Sequence, residues 1–119
     1  MTQTNDNHTA CAIKISEAVQ YADGAVVSKT LLDQKAGTLT LFSFDVGQGL
    51  SEHTAPYDAT VQILDGEAEI SINGNMQVVN AGELIIMPAN IPHELRATKR
   101  FKMLLIMIRD KSSANPSLC

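Results

Sequence analysis

Apolar and polar residues alternate along much of this chain, most clearly over residues 61–72. There Val61, Ile63, Ala68, Ile70 and Ile72 can face a core while Glu67, Glu69 and Ser71 face water. A period of two is that of a strand with one wet side, because successive side chains leave opposite faces of a sheet. Turn signals interrupt the pattern at short intervals: Asp23-Gly24, Ala36-Gly37, Gly47 and Gly49, Asp65-Gly66, Asn73-Gly74, Ala81-Gly82 and the run from Pro88 to Pro92. This punctuation predicts an all-β sandwich or barrel. Strands are expected at residues 25–32, 38–45, 50–54, 59–64, 67–72, 76–80, 83–87, 92–97 and 101–108, and a short helical turn at 16–21. Asn73-Gly74 should close a hairpin, since a two-residue type I′ turn needs positive φ at both central positions.

The last strand differs from the rest. Met103 to Ile108 reads Met-Leu-Leu-Ile-Met-Ile, apolar on both faces, so its second side must also be covered. A homodimer is the expected cover for a chain of this length. Alternation alone leaves open which face of that strand points inward.

Composition narrows the partners. A chain of 119 residues with a net charge of −4 is sized for one core and has no surplus of cations to neutralise nucleic-acid phosphates or anionic lipid. The short group Lys99, Arg100 and Lys102 reads as a solvated turn. The two cysteines, Cys11 and Cys119, make neither a disulfide framework nor a C-x-x-C pair. The polar start lacks the regions of a signal peptide, so a cytoplasmic location is expected and the acceptor-like Asn7-His8-Thr9 is not expected to be glycosylated. Polar tails are expected at residues 1–9 and 111–119, framing a single domain at 10–110.

Two spaced motifs carry the candidate chemistry. Gly47 is followed after five residues by His53, then by Ala55, Ala59 and Gly66. Gly82 is followed after five residues by Pro88, then by Asn90 and His93. In this order, separated by a predicted hairpin, the pair resembles the two motifs of the cupin superfamily, and the chain is similar to a small single-domain cupin. The resemblance implies a β-barrel of jelly-roll type. In cupins the first motif supplies two histidines two residues apart and a glutamate, and the second supplies a further histidine, all converging on one metal. Here His53 and His93 match, while Ala55 stands in place of the second histidine and Ala59 in place of the glutamate.

The resemblance therefore implies a roomier, more apolar pocket around His53 and His93, lined by Ala55, Ala59, Val61 and Ile63, with Met87, Met103 and Met107 as further candidates for its wall. Two imidazoles fall short of the three or four protein donors that usually retain a transition metal. Asp58, one residue from the lost glutamate position, is the candidate third ligand, although a one-residue shift turns a strand side chain to the opposite face unless a bulge intervenes. Its other reading is a surface or capping carboxylate.

Three functions follow as expectations. The first is capture of a small molecule in an apolar pocket with a two-histidine site, either metal-free or holding iron, manganese, zinc, nickel or copper. The second is a metal-dependent enzyme of dioxygenase, isomerase or lyase type. The third is an interaction protein with a vestigial pocket. No Ser-His-Asp set, phosphate loop or aromatic set for stacking bases is present in the sequence.

Overall fold

The computed structural model describes residues 9–110, and the expected tails lie almost wholly outside them. Eight antiparallel strands form the fold: β1 (Val26–Gln34), β2 (Gly37–Phe44), β3 (Gly49–His53), β4 (Ala59–Ile72), β5 (Asn75–Asn80), β6 (Leu84–Met87), β7 (His93–Arg96) and β8 (Phe101–Ile108). They make one curled sheet in the order β1-β2-β8-β4-β7-β3, with β5 and β6 also paired to β4. This is the all-β architecture that the alternation predicts, in the jelly-roll form that the resemblance implies.

β4 organises the sheet. Its first residues pair with β6 and β8, and its last pair with β5 and β7, so one strand belongs to both halves. The sequence suggested two strands here, separated by a turn at Asp65-Gly66. The structure instead runs one strand through that dipeptide, with a register shift between Ile63 and Asp65. A bulge is what joins the two patterns: Ala59, Val61 and Ile63 are buried at odd positions before it, and Ala68, Ile70 and Ile72 at even positions after it. Gly66 carries the kink at φ +74, and a Cβ there would overlap the Arg100 carbonyl oxygen. Both constraints select glycine.

Asn73 and Gly74 form the predicted hairpin, with φ of 53° and 80°, the signs a type I′ turn requires. On β8 the inward residues are Phe101, Met103, Leu105 and Met107, which join the core cluster directly or pack against it. Phe44 stacks on Phe101 at 4.4 Å between ring centroids and on Phe42 at 6.0 Å. The outward residues Leu104 and Ile106 pair across the sheet with Leu41 and Leu39 on β2 and with Gln62 and Thr60 on β4.

One end of that outer face is covered by the chain itself. Residues 14–21 contain a hydrogen-bonded turn, Glu17 N to the Lys14 carbonyl, in place of the expected helical turn. This strap is held by Ser43 Oγ, which donates to the Gln20 carbonyl at 2.7 Å, and by Lys102 Nζ, which donates to the Ser16 carbonyl at 2.7 Å. Tyr21 donates to Asp65 and lies beneath the cations of Arg100 and Lys102. Leu41 is fully buried although it belongs to the outer face, and Val19 on the strap is buried as well. Beyond the strap, Leu32, Leu84, Ile86 and Ile108 remain exposed.

Candidate histidine site

The two candidate histidines meet. β3 pairs with β7 as Gly49 opposite Arg96 and Leu50 opposite Leu95, and the register then shifts so that His53 lies opposite His93. Ser51 and Glu52 thus stand against Glu94 alone, a second bulge. The extra residue returns His53 to the face occupied by Leu50, which strict alternation would have denied it. His93 is in turn opposite Ile72 on β4, so His53, His93 and Ile72 form one cross-strand row on the concave face. His93 is 4% exposed, and His53, at the end of its strand, is open to solvent.

The backbone fixes the tautomer of each ring. His53 Nδ1 donates to the Ser51 carbonyl at 2.7 Å, and His93 Nδ1 donates to the Ile91 carbonyl at 3.2 Å. A carbonyl oxygen can only accept, so each neutral ring carries its proton on Nδ1 and presents a lone pair at Nε2. The two Nε2 atoms lie 3.2 Å apart, with the rings edge to face. Two lone pairs at this distance make no hydrogen bond until a proton or another electrophile comes between them. Burial, reinforced by the neighbouring His53, holds the His93 pKa below the ordinary value, against the opposing pull of the Ile91 carbonyl. His93 is therefore a neutral donor at neutral pH.

The other expected site residues sit differently. Ala59, Val61 and Ile63 are fully buried in the core cluster. Ala55 lies past the end of β3, and its carbonyl accepts from Asn90 N at 2.7 Å. Asn90 adopts φ +64, the left-handed geometry that asparagine tolerates. The Asp58 carboxylate accepts from Ala89 N at 2.8 Å. Among the described residues no group of three or more His, Cys, Asp or Glu is placed to hold a metal ion. A groove of about 460 Å³ opens between β5 and β6, walled by Ile72, Val79, Ile85 and Pro88 with Asn75 and Gln77 at its edge. Reasoning from sequence missed it, and the polar Asn75 and Gln77 on the same alternation face as Val79 were the available signal.

The cupin domain model matches residues 40–109. The chain belongs to the cupin family. A conserved protein of unknown function from Streptococcus pyogenes is 36% identical, with a TM-score of 0.83 over 94% of this chain and 98% of that one. A cupin 2 conserved barrel domain protein from Leptotrichia buccalis is 43% identical, with a TM-score of 0.77 over 79% of this chain, which spans 46% of that longer protein. A cupin superfamily protein from Desulfitobacterium hafniense is 25% identical, with a TM-score of 0.82 over 92% of this chain and all of that one. No curated protein matches. Among the described residues no helix is long and apolar enough to cross a membrane.

The pair fits half of a cupin metal site. Ligands about 2.0–2.1 Å from a metal, at angles between octahedral and tetrahedral, lie about 2.9–3.4 Å from each other. The Nε2 separation of 3.2 Å falls within that interval. A backbone carbonyl on the remote ring nitrogen is the usual outer partner of a ligating histidine, since it fixes orientation and raises basicity.

Proposed function

We propose that this cupin binds a small molecule at the His53–His93 pair, with a divalent transition metal held by the two Nε2 atoms and the ligand supplying further donors. The convergence of two backbone-locked lone pairs at 3.2 Å carries this reading. His53 supplies the solvent-facing donor and His93 the buried one. When bound, the metal would act as a Lewis acid with coordination positions left free for ligand oxygen or nitrogen. The side chains at 55 and 59 are methyl groups and add no donors.

The test is calorimetric titration of metal-free protein with Zn²⁺ and Co²⁺ at pH 7.5, followed by acetohydroxamate as a chelating probe. Near 1:1 uptake that disappears in His53→Ala and in His93→Ala, and probe binding only after metal loading, is the expected result. Absence of uptake at metal concentrations up to about a hundred micromolar would remove the metal from the proposal. A small-molecule thermal-shift response abolished by His53→Ala would then leave the pair as hydrogen-bonding groups.

We also propose that two copies pair through the outer face beyond the strap. β8 is the middle of five strands there, β1-β2-β8-β4-β6, spanning about 20–25 Å at the usual strand spacing. Leu32, Leu39, Leu84, Leu104, Ile106 and Ile108 give that face an apolar centre. With a polar rim, the expanse suits a dimer burying about 800 Å² per partner. Sedimentation of the parent as a dimer at micromolar concentration, and of Ile86→Glu as a folded monomer, is expected. A monomeric parent refutes the pairing.

A further inference from the structure

We infer that Asp58 is a positioning residue for the histidine pair, acting through the turn that precedes His93. This rests on the reading of His53 and His93 as the working groups. Two loops flank the pair in sequence: residues 54–58 follow His53, and residues 88–92 lead into His93. They are joined by two hydrogen bonds, Ala89 N to Asp58 Oδ1 at 2.8 Å and Asn90 N to the Ala55 carbonyl at 2.7 Å. The second is backbone to backbone and survives any side-chain change. The first depends on Asp58 alone.

What the Asp58 carboxylate holds is the start of a tight turn. Ile91 N donates back to the Pro88 carbonyl at 3.4 Å, a long and weak closure, and Asn90 sits at φ +64. The Ile91 carbonyl, two residues beyond Ala89, is the acceptor that fixes His93 Nδ1. Ala89 is 6% exposed, so no bulk water stands ready to replace the carboxylate on its N–H. Without Asp58 the turn keeps its long Ile91–Pro88 closure and the main-chain bonds from Asn90 N to the Ala55 carbonyl and from Asn73 N to the Pro92 carbonyl. Ala89 N loses its acceptor, however, the Ile91 carbonyl shifts, and the contact that keeps the His93 Nε2 lone pair turned toward His53 weakens. Asp58 also immediately precedes β4, whose Ala59 pairs with Met87 and Met107. Its carboxylate therefore refers the turn to the strand that pairs with β5, β6, β7 and β8.

The role needs an acceptor oxygen and no charge, which separates it from metal ligation. Asp58→Asn keeps the Oδ1 acceptor and removes the charge, whereas Asp58→Ala removes both. The first readout uses metal-free protein with ¹⁵N-labelled histidine at pH 8, where two-bond ¹H–¹⁵N correlations report the tautomer of each ring. The parent and Asp58→Asn should show both rings as the Nδ1–H form, and Asp58→Ala should show His93 as a tautomer mixture. The second readout is Co²⁺ titration, in which Asp58→Ala should bind about tenfold more weakly than the parent, the usual lower bound for losing an outer partner, and Asp58→Asn within about twofold. Parental tautomers in Asp58→Ala overturn the inference, and so does Asp58→Asn behaving like Asp58→Ala. If the parent binds no Co²⁺ while the tautomer change occurs, the metal reading falls and the positioning role stands. Should Asp58→Ala not fold, Asp58→Glu, which pushes the turn outward by one methylene, must show a smaller tautomer change in the same direction, and parental tautomers there refute the role.

Discussion

Two bulges of one extra residue serve opposite purposes in this molecule. The bulge in β4, between Ile63 and Asp65, is itself exposed at Asp65 and Gly66, but it joins two stretches of alternately buried residues and lets a single strand cross from one half of the sheet to the other. The bulge in β3, between Leu50 and His53, lies at the rim among exposed residues and brings an imidazole onto the concave face. The first is bound up with Arg100, whose carbonyl fills the space beside Gly66 and whose guanidinium is held by Asp45 and Asp23. At the second, the Ser51 carbonyl accepts from His53 Nδ1 across the extra residue. Irregularity between the two buried stretches of β4 thus sustains the fold, and irregularity at the rim aims a side chain, so substitutions should separate stability from binding.

The largest effect belongs to the bulge in β4. Gly66→Ala meets both a left-handed φ and the Arg100 carbonyl, and should cost on the order of 3 kcal/mol or more in urea unfolding. A loss below about 1 kcal/mol would mean that β4 can relax there. At the rim, His93→Ala empties a buried position and should cost about 1–2 kcal/mol, while His53→Ala should stay within about 0.5 kcal/mol. Equal costs would contradict their unequal burial. Deletion of Glu52 makes the β3–β7 pairing regular and leaves His53 opposite His93, but withdraws the Ser51 carbonyl from its ring. The expected outcome is an unchanged fold by circular dichroism and Co²⁺ affinity reduced about tenfold; full affinity would make the bulge dispensable.

The smallest effect is on pH dependence. Asp45 is lowered from the ordinary 3.8 to about 2, first by the Gly24 N–H and then by Arg100. The folded state therefore holds this carboxylate charged where the unfolded chain would protonate it. The stabilisation is complete above about pH 4 and is lost as the pH falls through about 2. The stability gap between the parent and Asp45→Asn should close over that window, and a gap that persists below pH 2 would assign the effect to packing.

The two bulges also mark how far the sequence could be read. Asn73-Gly74 was legible because its turn is decided by two adjacent residues. Asp65-Gly66 carries the same local signal and was read as a turn, because a glycine with positive φ serves a bulge as well as a reversal, and only the distant pairing with β8 distinguishes them. The rim bulge left no trace, since Ser51 and Glu52 are ordinary strand-edge residues. His53 and His93 were found through spacing that resembles cupin motifs, and nothing local could have given their 3.2 Å approach. Asp58 stood out as a carboxylate one residue from the missing glutamate position, but its partner is a main-chain N–H 31 residues away, a contact without a side-chain signature. The inward face of β8 had to await the structure because both of its faces are apolar.

The strap over residues 14–21 has an implication for how this chain can vary over evolutionary time. Ser43 and Lys102 hold it by the carbonyls of Gln20 and Ser16, not by their side chains. Gln20 and Ser16 are therefore free to drift among relatives, while Ser43 and Lys102, which reach up from the sheet to bind the strap's main chain, are not. An alignment of relatives should show positions 16 and 20 varying above two invariant anchors, with Val19 and Tyr21, whose side chains are buried or bonded, retained.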